Sequence, residues 1–572
     1  MSRTLPRNAE LADRFELLAD MLELDGADAF RLTAYRRAAQ RIRESASPVA
    51  QLALEHRATS LSGIGSTIER KIVELVETGE MQALAKLRDQ IPSGLVDVMH
   101  VPGLGPKTAR RLWQELGITT LADLRAAAEA ERLRGISGLG AKTEEKVLKA
   151  LAAAPDGKEI VRGVLLGRAL PLVRAAVSAL AEHPAVDRVS EAGSVRRRVE
   201  AVKDLDAIAT ASDARAVLED FTRMPFVADV LAKGDTKATV VSQDGMSFDL
   251  RVVQSESYGN LLQHFTGSKA HNVALREDAV RRGFSVSEYG VEQGDGEVAR
   301  LTSEAEVYAF LGYAWIPPEL RENRGELAAA RDGGLPELLE LEDLQGDLHM
   351  HTNWSDGRHT LEEMVAAALV HGHRYIAICD HAKRLKDGRL EAQTAEIAKL
   401  NATGGGLEVL AGVEVDIRAD GSLDLPDEIL AERDWVMASV HAGFDQGSDR
   451  ITERLLAAIE NPHVDCIGHP TGRKLNKRAP YDVDFERVCQ RAAETGTFLE
   501  VNAQADRLDL DDTHVRAAVE AGVGIVISTD AHRTWELESL ELGVAQARRG
   551  WVTAEQVVNT RSWREIKRML KR

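Results

Sequence analysis

Gly193-Ser194-Val195-Arg196-Arg197-Arg198 runs on into Lys203-Asp204-Leu205-Asp206. The two aspartates stand two apart among apolar neighbours (Val202, Leu205, Ile208), which predicts a strand. Residues two apart on a strand share a face, so Asp204 and Asp206 project together. Paired carboxylates suit Mg²⁺ ions that bridge phosphate oxygens. A third acid stands in Phe248-Asp249-Leu250-Arg251-Val252-Val253, another run of strand composition. The Gly193-Ser194 turn offers backbone N–H groups and a hydroxyl to phosphate, and the arginines offer charge. A lone D-x-D marks an exposed strand end more often than a site. Here a glycine turn, an arginine cluster and a third acid accompany it.

The chain has 572 residues, enough for three or four domains. Its 44% hydrophobic content fits a folded soluble protein. No secretory signal and no 18-residue apolar run is found, so neither export nor a membrane span is expected. Three cysteines (Cys379, Cys466, Cys489) make no disulfide framework and fit a reducing, cytoplasmic setting. The net charge of −19 is unevenly spread. Residues 1–150 hold 22 Lys+Arg against 21 Asp+Glu, a balance of +1, so the remainder carries −20. A neutral front on an acidic body leaves room for basic DNA-binding faces, because binding follows local potential.

Residues 8–45 read as helices, with Leu11, Phe15, Leu18 and Leu22 at helical spacing and arginines at 36, 37, 41 and 43. Three similar hairpins follow: Ser62-Gly63-Ile64-Gly65, Pro102-Gly103-Leu104-Gly105-Pro106-Lys107 and Ser137-Gly138-Leu139-Gly140-Ala141-Lys142. Each has an apolar residue between two glycines and precedes a helix bearing Lys or Arg. Such a turn brings backbone N–H groups and a helix N-terminus against a phosphate without reading sequence. Ala314-Trp315-Ile316-Pro317-Pro318 closes the central region, and the charged, Gly-containing residues 321–343 read as a linker.

From Asp347 the pattern alternates short β-like runs with helical ones. The polar residues follow the runs: His349-Met350-His351, Ser355-Asp356, Cys379-Asp380-His381, Glu414-Val415-Asp416, His441, His469 and Asp530-Ala531-His532. This describes an α/β barrel with its site at the strand C-termini. Histidine and carboxylate ligands suit Zn²⁺ or Mn²⁺.

The chain as a whole resembles a bacterial family X DNA polymerase with a C-terminal PHP (polymerase and histidinol phosphatase) domain. The string Gly-Ser-Val-Arg-Arg-x-x-Glu-x-x-x-Asp-x-Asp from Gly193 carries the first half of the resemblance, and the ordered histidines carry the second. It implies a multidomain architecture. Residues 1–85 form a small helical domain with the first helix-hairpin-helix, and 86–154 a fingers-like domain with two more. An α+β nucleotidyltransferase palm begins in 155–240, and 241–320 complete palm and thumb. After the 321–343 linker, 344–572 form the distorted PHP barrel.

The resemblance assigns roles residue by residue. Asp204 and Asp206 bind both Mg²⁺ or Mn²⁺ ions, and Asp249 helps activate the primer 3′-hydroxyl. Gly193, Ser194 and Arg197 hold the incoming triphosphate. Phe265 and Gly267 lie under the sugar, Asn272 near the nascent base and Arg276 near the template. The DNA backbone meets Gly63, Gly65, Lys71, Gly103, Gly105, Lys107, Gly138, Gly140 and Lys142. Lys71 also falls at the position of a lyase lysine. Departures from the family pattern are Arg198, Lys203, Thr67, Ser247 and His264. In the barrel, His349, His351, Glu414 and Asp530 surround one ion; Glu414, His441 and His469 a second; Asp356, His381 and His532 a third. Arg473 and Lys474 are candidates to receive DNA phosphate. The implied function is short-gap filling on gapped or primed duplex with deoxynucleoside triphosphates, plus 3′→5′ exonuclease. Abasic-site endonuclease and 3′-phosphatase are further options, and a monomer is the default. The alternative is a PHP phosphoesterase with a degenerate polymerase half.

Overall fold

In a computed structural model the protein is described over residues 5–571, apart from 7, 44, 46–48, 62, 102–103, 137–138, 154–162, 244 and 295. The chain divides into two compact units, Met1–Val161 with Asp482–Asp484, and Arg162–Tyr481 with Phe485–Arg572. Among the described residues no helix is long and apolar enough to cross a membrane. All three cysteines are buried free thiols.

The first unit is helical. One hydrophobic core runs through it from Leu11 to Leu151, so the expected 1–85 and 86–154 segments share their packing. The glycine turns end in helices Ser66–Thr78, Pro106–Leu116 and Ala141–Ala153. A glutamate in the first turn of two of these helices closes the turn before it. Glu69 accepts from the Thr59 amide at 3.1 Å, and Glu144 accepts from the Leu133 amide at 3.0 Å.

The second unit begins with a five-stranded mixed sheet. Its order is Val186–Ala192, Asp204–Ala211, Ser247–Val253, Lys237–Ser242, Val227–Lys233. The strands Asp204–Ala211 and Ser247–Val253 run parallel, with Asp206 opposite Asp249. Leu205, Ala207 and Ala209 face a core under helix Leu166–Ala181. Ile208, on the carboxylate face, packs against Tyr258, Leu261 and Leu262 of helix Tyr258–Thr266. Alternation along one strand therefore buries one face and aims the acids from the other.

Residues 321–343 are not a linker. Arg321 has no exposed surface and pairs with Glu304; Glu322 pairs with Arg197 at 2.9 Å. In helix Glu326–Asp332, buried Glu326 lies 2.6 Å from His271 Nδ1. Charges that read as solvated in sequence are the buried partners of charges far away in the chain.

The barrel has seven parallel strands in chain order: Gly346–Met350, Tyr375–Ile378, Glu408–Asp416, Trp435–Ser439, Cys466–Gly468, Phe498–Asn502 and Ile525–Ser528. A bridge between Met350 and Ala531 brings the last strand back to the first. Runs such as Tyr375-Ile-Ala-Ile378 are buried throughout, as a sheet covered on both faces requires. The barrel also packs on the mixed sheet: Leu508 and Leu542 join Leu166 and Val173 in that core.

Candidate metal and nucleotide sites

Asp204 opens its strand exposed, while Asp206 and Asp249 are half-buried on adjacent strands. Burial, with the charges of Asp204 and Asp249, pushes the Asp206 carboxyl up to about 7. A proton is thus held where a cation would neutralise the cluster more effectively. Gly193 lies against it with φ +65°, and a Cβ there would fall 2.2 Å from Asp206 Oδ2. Only glycine admits this approach.

Asp249 accepts from Thr239 Oγ1 at 2.6 Å and lies 2.5 Å from Lys237 Nζ. Lys237 escaped the sequence reading because it sits on the neighbouring strand, twelve residues upstream. It supplies beside Asp249 the positive charge that Ser247 does not. Arg251 extends the same face, its guanidinium 4.2 Å from the Phe265 ring.

Arg197 departs from its expected role. Its Nε meets Glu322 at 2.9 Å and its Nη1 donates to the Thr266 carbonyl at 2.8 Å. Arg549 of the barrel donates to the Arg197 carbonyl and to Glu322. Burial alone would raise Glu322, but Arg549 and Arg197 hold it at about 2. The guanidinium is committed to this lock, so Ser194 and the backbone of the turn remain for phosphate. Arg196 is likewise committed to Glu304, at 2.7 Å.

Gly267 packs against Asn272, where a Cβ would lie 2.7 Å from Oδ1. The Asn272 amide donates to the His264 carbonyl at 2.7 Å, and Arg276 donates to His264 Nδ1 at 2.8 Å. His264, Asn272 and Arg276 thus form one cluster beside Phe265.

The nine barrel ligands come together at the strand C-termini. Glu414 is the hub. Its Oε1 lies 3.6 Å from His349 Nε2 and 3.4 Å from both His441 Nε2 and His469 Nε2. Its Oε2 lies 3.7 Å from His351 Nε2 and 2.8 Å from His381 Nδ1. Asp530 Oδ1 is 3.1 Å from His351 Nε2, while Asp356 lies 3.5 Å from both His381 Nε2 and His532 Nε2. His469 and Asp530 hold positive φ, +31° and +51°, a backbone strain often stored at functional sites.

The residues fit metal ions. Both Glu414 oxygens are buried, and none of the imidazole nitrogens around them meets them in hydrogen-bonding geometry, although His381 Nδ1 comes within 2.8 Å of Oε2. Three groups of three or four ligands have donor atoms close enough to share an ion: His349, His351 and Asp530; His381, Glu414 and His441; His351, Asp356, His381 and His532. Burial would lower His381 and His441, but Asp356 and Glu414 raise His381 to about 10, and Glu414 and Asp416 raise His441 to about 9. Protons stand where divalent cations would otherwise balance the carboxylates.

Further residues orient the ligands. Glu500 lies 2.7 Å from His349 Nδ1 and accepts the His469 amide at 2.6 Å; Asp416 lies 2.7 Å from His441 Nδ1. Each leaves Nε2 facing the site, the usual arrangement behind a metal-bound imidazole. Their signal was present in sequence: Glu500 interrupts the apolar run Phe-Leu-Glu-Val-Asn, and Asp416 shares a strand face with Glu414. Asp380 accepts from the Thr352 amide (2.9 Å) and Gln393 (2.6 Å) and so organises the turn that carries Asp356. All the ligands but His349 and His351 open into a cavity of about 280 Å³, which Lys474, Gln504 and Arg507 also line. Arg473 is buried, 2.6 Å from Glu200 and bonded to the Leu508 carbonyl, and so does not receive substrate; Lys474 lines the cavity.

Among the hairpin residues, Gly103 and Gly138 and the side chain of Lys142 lie outside the described residues. Gly63 has φ +92° and needs to be glycine. Gly65, Gly105 and Gly140 do not: their φ is not left-handed, and an added Cβ would meet no protein atom within 4 Å. Glycine where neither backbone nor packing demands it points to an outside partner approaching the main chain. Lys71 and Lys107 stand in the first two turns of the helices that follow.

Four family models match the chain. They are a helix-hairpin-helix domain over residues 6–81, a SAM-like helix-hairpin-helix tandem over 95–153, the DNA polymerase beta thumb over 261–322, and the PHP domain over 347–504. The DNA polymerase/3′-5′ exonuclease PolX of Bacillus subtilis strain 168 is 40% identical over 566 residues, covering 97% of this chain and 98% of that protein. A protein named probable phosphatase from Thermoanaerobacter sp. strain X514 is 32% identical over 225 residues, 37% of this chain and 89% of its own. DNA polymerase lambda of Rattus norvegicus is 25% identical over 346 residues, 55% and 56% of the two chains.

Proposed function

The chain belongs to the bacterial family X DNA polymerases that carry a C-terminal PHP domain, and we propose that it fills short DNA gaps and trims 3′ ends at two separate metal sites. The observation that carries this reading is that both sites are complete in side chains. The palm sets Asp206 opposite Asp249 with Gly193 against Asp206, and seven of the nine barrel ligands line one cavity, with buried His349 and His351 3.6–3.7 Å from the Glu414 carboxylate among them. Mg²⁺ or Mn²⁺ on Asp204, Asp206 and Asp249, and Mn²⁺ or Zn²⁺ on the barrel ligands, would neutralise charge on the phosphoryl oxygens when bound.

The chain's own residues do the rest. The backbone of Gly193 and Ser194 cradles the triphosphate of an incoming deoxynucleotide. Asp249, set by Thr239 and Lys237, faces the primer 3′-hydroxyl and accepts its proton. The His264–Asn272–Arg276 cluster borders the base pair. In the barrel, Glu500 and Asp416 fix the tautomers of His349 and His441, while Arg507 and Lys474 receive the phosphate of a DNA 3′ end in the cavity. The hairpin backbone holds the duplex without sequence preference.

A 5′-labelled primer on a one-nucleotide-gap duplex tests the reading, with Mn²⁺ or Mg²⁺ and with or without deoxynucleotides. Asp204→Ala should lose extension only, and His349→Ala shortening only. Shortening without any extension by the wild type would overturn the polymerase half.

A further inference from the structure

Trp535 is the most exposed of the seven tryptophans, at 57%, and it stands three residues after the metal ligand His532. It lies in the helical turn Thr534–Ser539. That turn is not loose. Leu537 is buried with Leu361 and Met364, and Glu536, which lines the metal cavity, accepts the His532 amide at 2.8 Å. The indole is braced from two sides. His359 meets it edge-on, ring centres 5.4 Å apart, and the Arg533 guanidinium lies 5.3 Å from its centre. His359 Nδ1 also accepts the Thr534 amide at 3.3 Å. A large flat ring is thus held rigidly one residue from the cavity-lining Glu536, beside a cation, with more than half of its surface bare. The aromatic after another ligand differs: Phe444, three residues past His441, is covered by Arg478 at 3.9 Å and stacked on Tyr481. A braced indole next to the metal ligands offers a flat face for stacking, and among the partners of a 3′-end nuclease the flat group that stacks is a nucleobase.

We infer that Trp535, braced by His359 and Arg533, is the stacking subsite for the base of the terminal nucleotide that the barrel removes. The inference rests on the exonuclease reading above. Stacking is tolerant of base identity, so the subsite serves any sequence yet distinguishes a nucleotide end from an end without a base.

The test uses 5′-labelled single strands ending in thymidine or in an abasic tetrahydrofuran residue, cleaved by full-length wild type, Trp535→Ala and Trp535→Phe. The wild type should remove the thymidine end roughly 5- to 150-fold more efficiently in kcat/KM than the abasic end. Trp535→Ala should bring that ratio close to one by losing efficiency on the thymidine end alone, and Trp535→Phe should keep most of it. A ratio unchanged in Trp535→Ala, or an equal loss on both ends, overturns the subsite. If the wild type shortens neither strand, the exonuclease reading itself fails and takes the inference with it.

Discussion

Gly193→Ala puts one methyl group where the polymerase site has no room. The new Cβ would sit 2.2 Å from Asp206 Oδ2 and 3.1 Å from its carboxyl carbon. Ordinary carbon–oxygen contact begins well beyond 3 Å, so the carboxylate must retreat by roughly 1 Å. A misplacement of about that size at reacting groups costs on the order of 100-fold in rate, or about 2.7 kcal/mol of barrier. The left-handed backbone at φ +65° adds a stability cost of about 1–2 kcal/mol for a non-glycine residue. The assay is extension of a gapped primer at saturating metal and deoxynucleotide, with 3′-end shortening by the same preparation as a measure of intact folding. Extension should fall about 100-fold while shortening holds. Wild-type extension by Gly193→Ala would refute the reasoning, because the close approach to Asp206 would then have no bearing on catalysis.

Glu500→Gln keeps the shape behind His349 but removes the charge that orients it. Ion retention by the barrel against a competing chelator should drop about 10- to 100-fold, and unchanged retention would count against the assigned role. Glu304 and Glu322 are both held at about 2 although burial opposes ionisation, by Arg321 and Arg196 for the first and by Arg549 and Arg197 for the second. Their stabilisation is present above the ordinary value of 4.5 and is lost as pH falls through about 2, so the melting temperature should drop steadily across that window. Arg321→Gln raises the folded value of Glu304 towards 4.5 and so should make the drop shallower, and a wild-type melting curve that stays flat below pH 4.5 would contradict the assignment. Gly65→Ala and Gly105→Ala should each weaken duplex binding roughly tenfold in an anisotropy titration, because backbone–phosphate hydrogen bonds are lost. Their melting temperatures should match wild type, since no protein atom meets the new methyl; a loss of stability with unchanged binding would make these glycines structural.

Much of this architecture was legible because its signals are local. Asp204 and Asp206 follow from period two on a strand, and the barrel strands follow from short apolar runs that end in histidines and acids. The hairpins repeat a five-residue pattern. What the sequence concealed lies between segments far apart in the chain. Lys237 reaches Asp249 only because the strands Lys237–Ser242 and Ser247–Val253 pair antiparallel. Arg197 carries the right residue type in the right string, yet Glu322 and Arg549 take its guanidinium and carbonyl, and both come from regions 125 residues or more away. Residues 321–343 looked like a linker because charge and glycine predict solvent, whereas each buried charge there has a partner that local composition cannot reveal.

The same kind of contact ties the two chemistries together at residues 504–511. Gln504 donates to the Asp530 carbonyl at 2.8 Å, and Arg507 Nε stands 3.6 Å from Asp530 Oδ2 in the lining of the metal cavity. One residue on, Leu508 is fully buried in the core of the polymerase sheet, and Ala505 lies where a Cβ on Gly167 of that sheet's helix would come within 2.7 Å of it. Arg473 joins the Leu508 carbonyl to palm Glu200. The nine ligands hang on strands that the barrel folds for itself, but the cationic lining rests on the palm. A close-packed core does not deform gradually, so a shift of helix Leu166–Ala181 must be passed to Arg507 or resisted by Leu508. We therefore expect ion retention by the barrel to be insensitive to changes in helix Leu166–Ala181, and the grip of Arg507 on a substrate phosphate to depend on that helix.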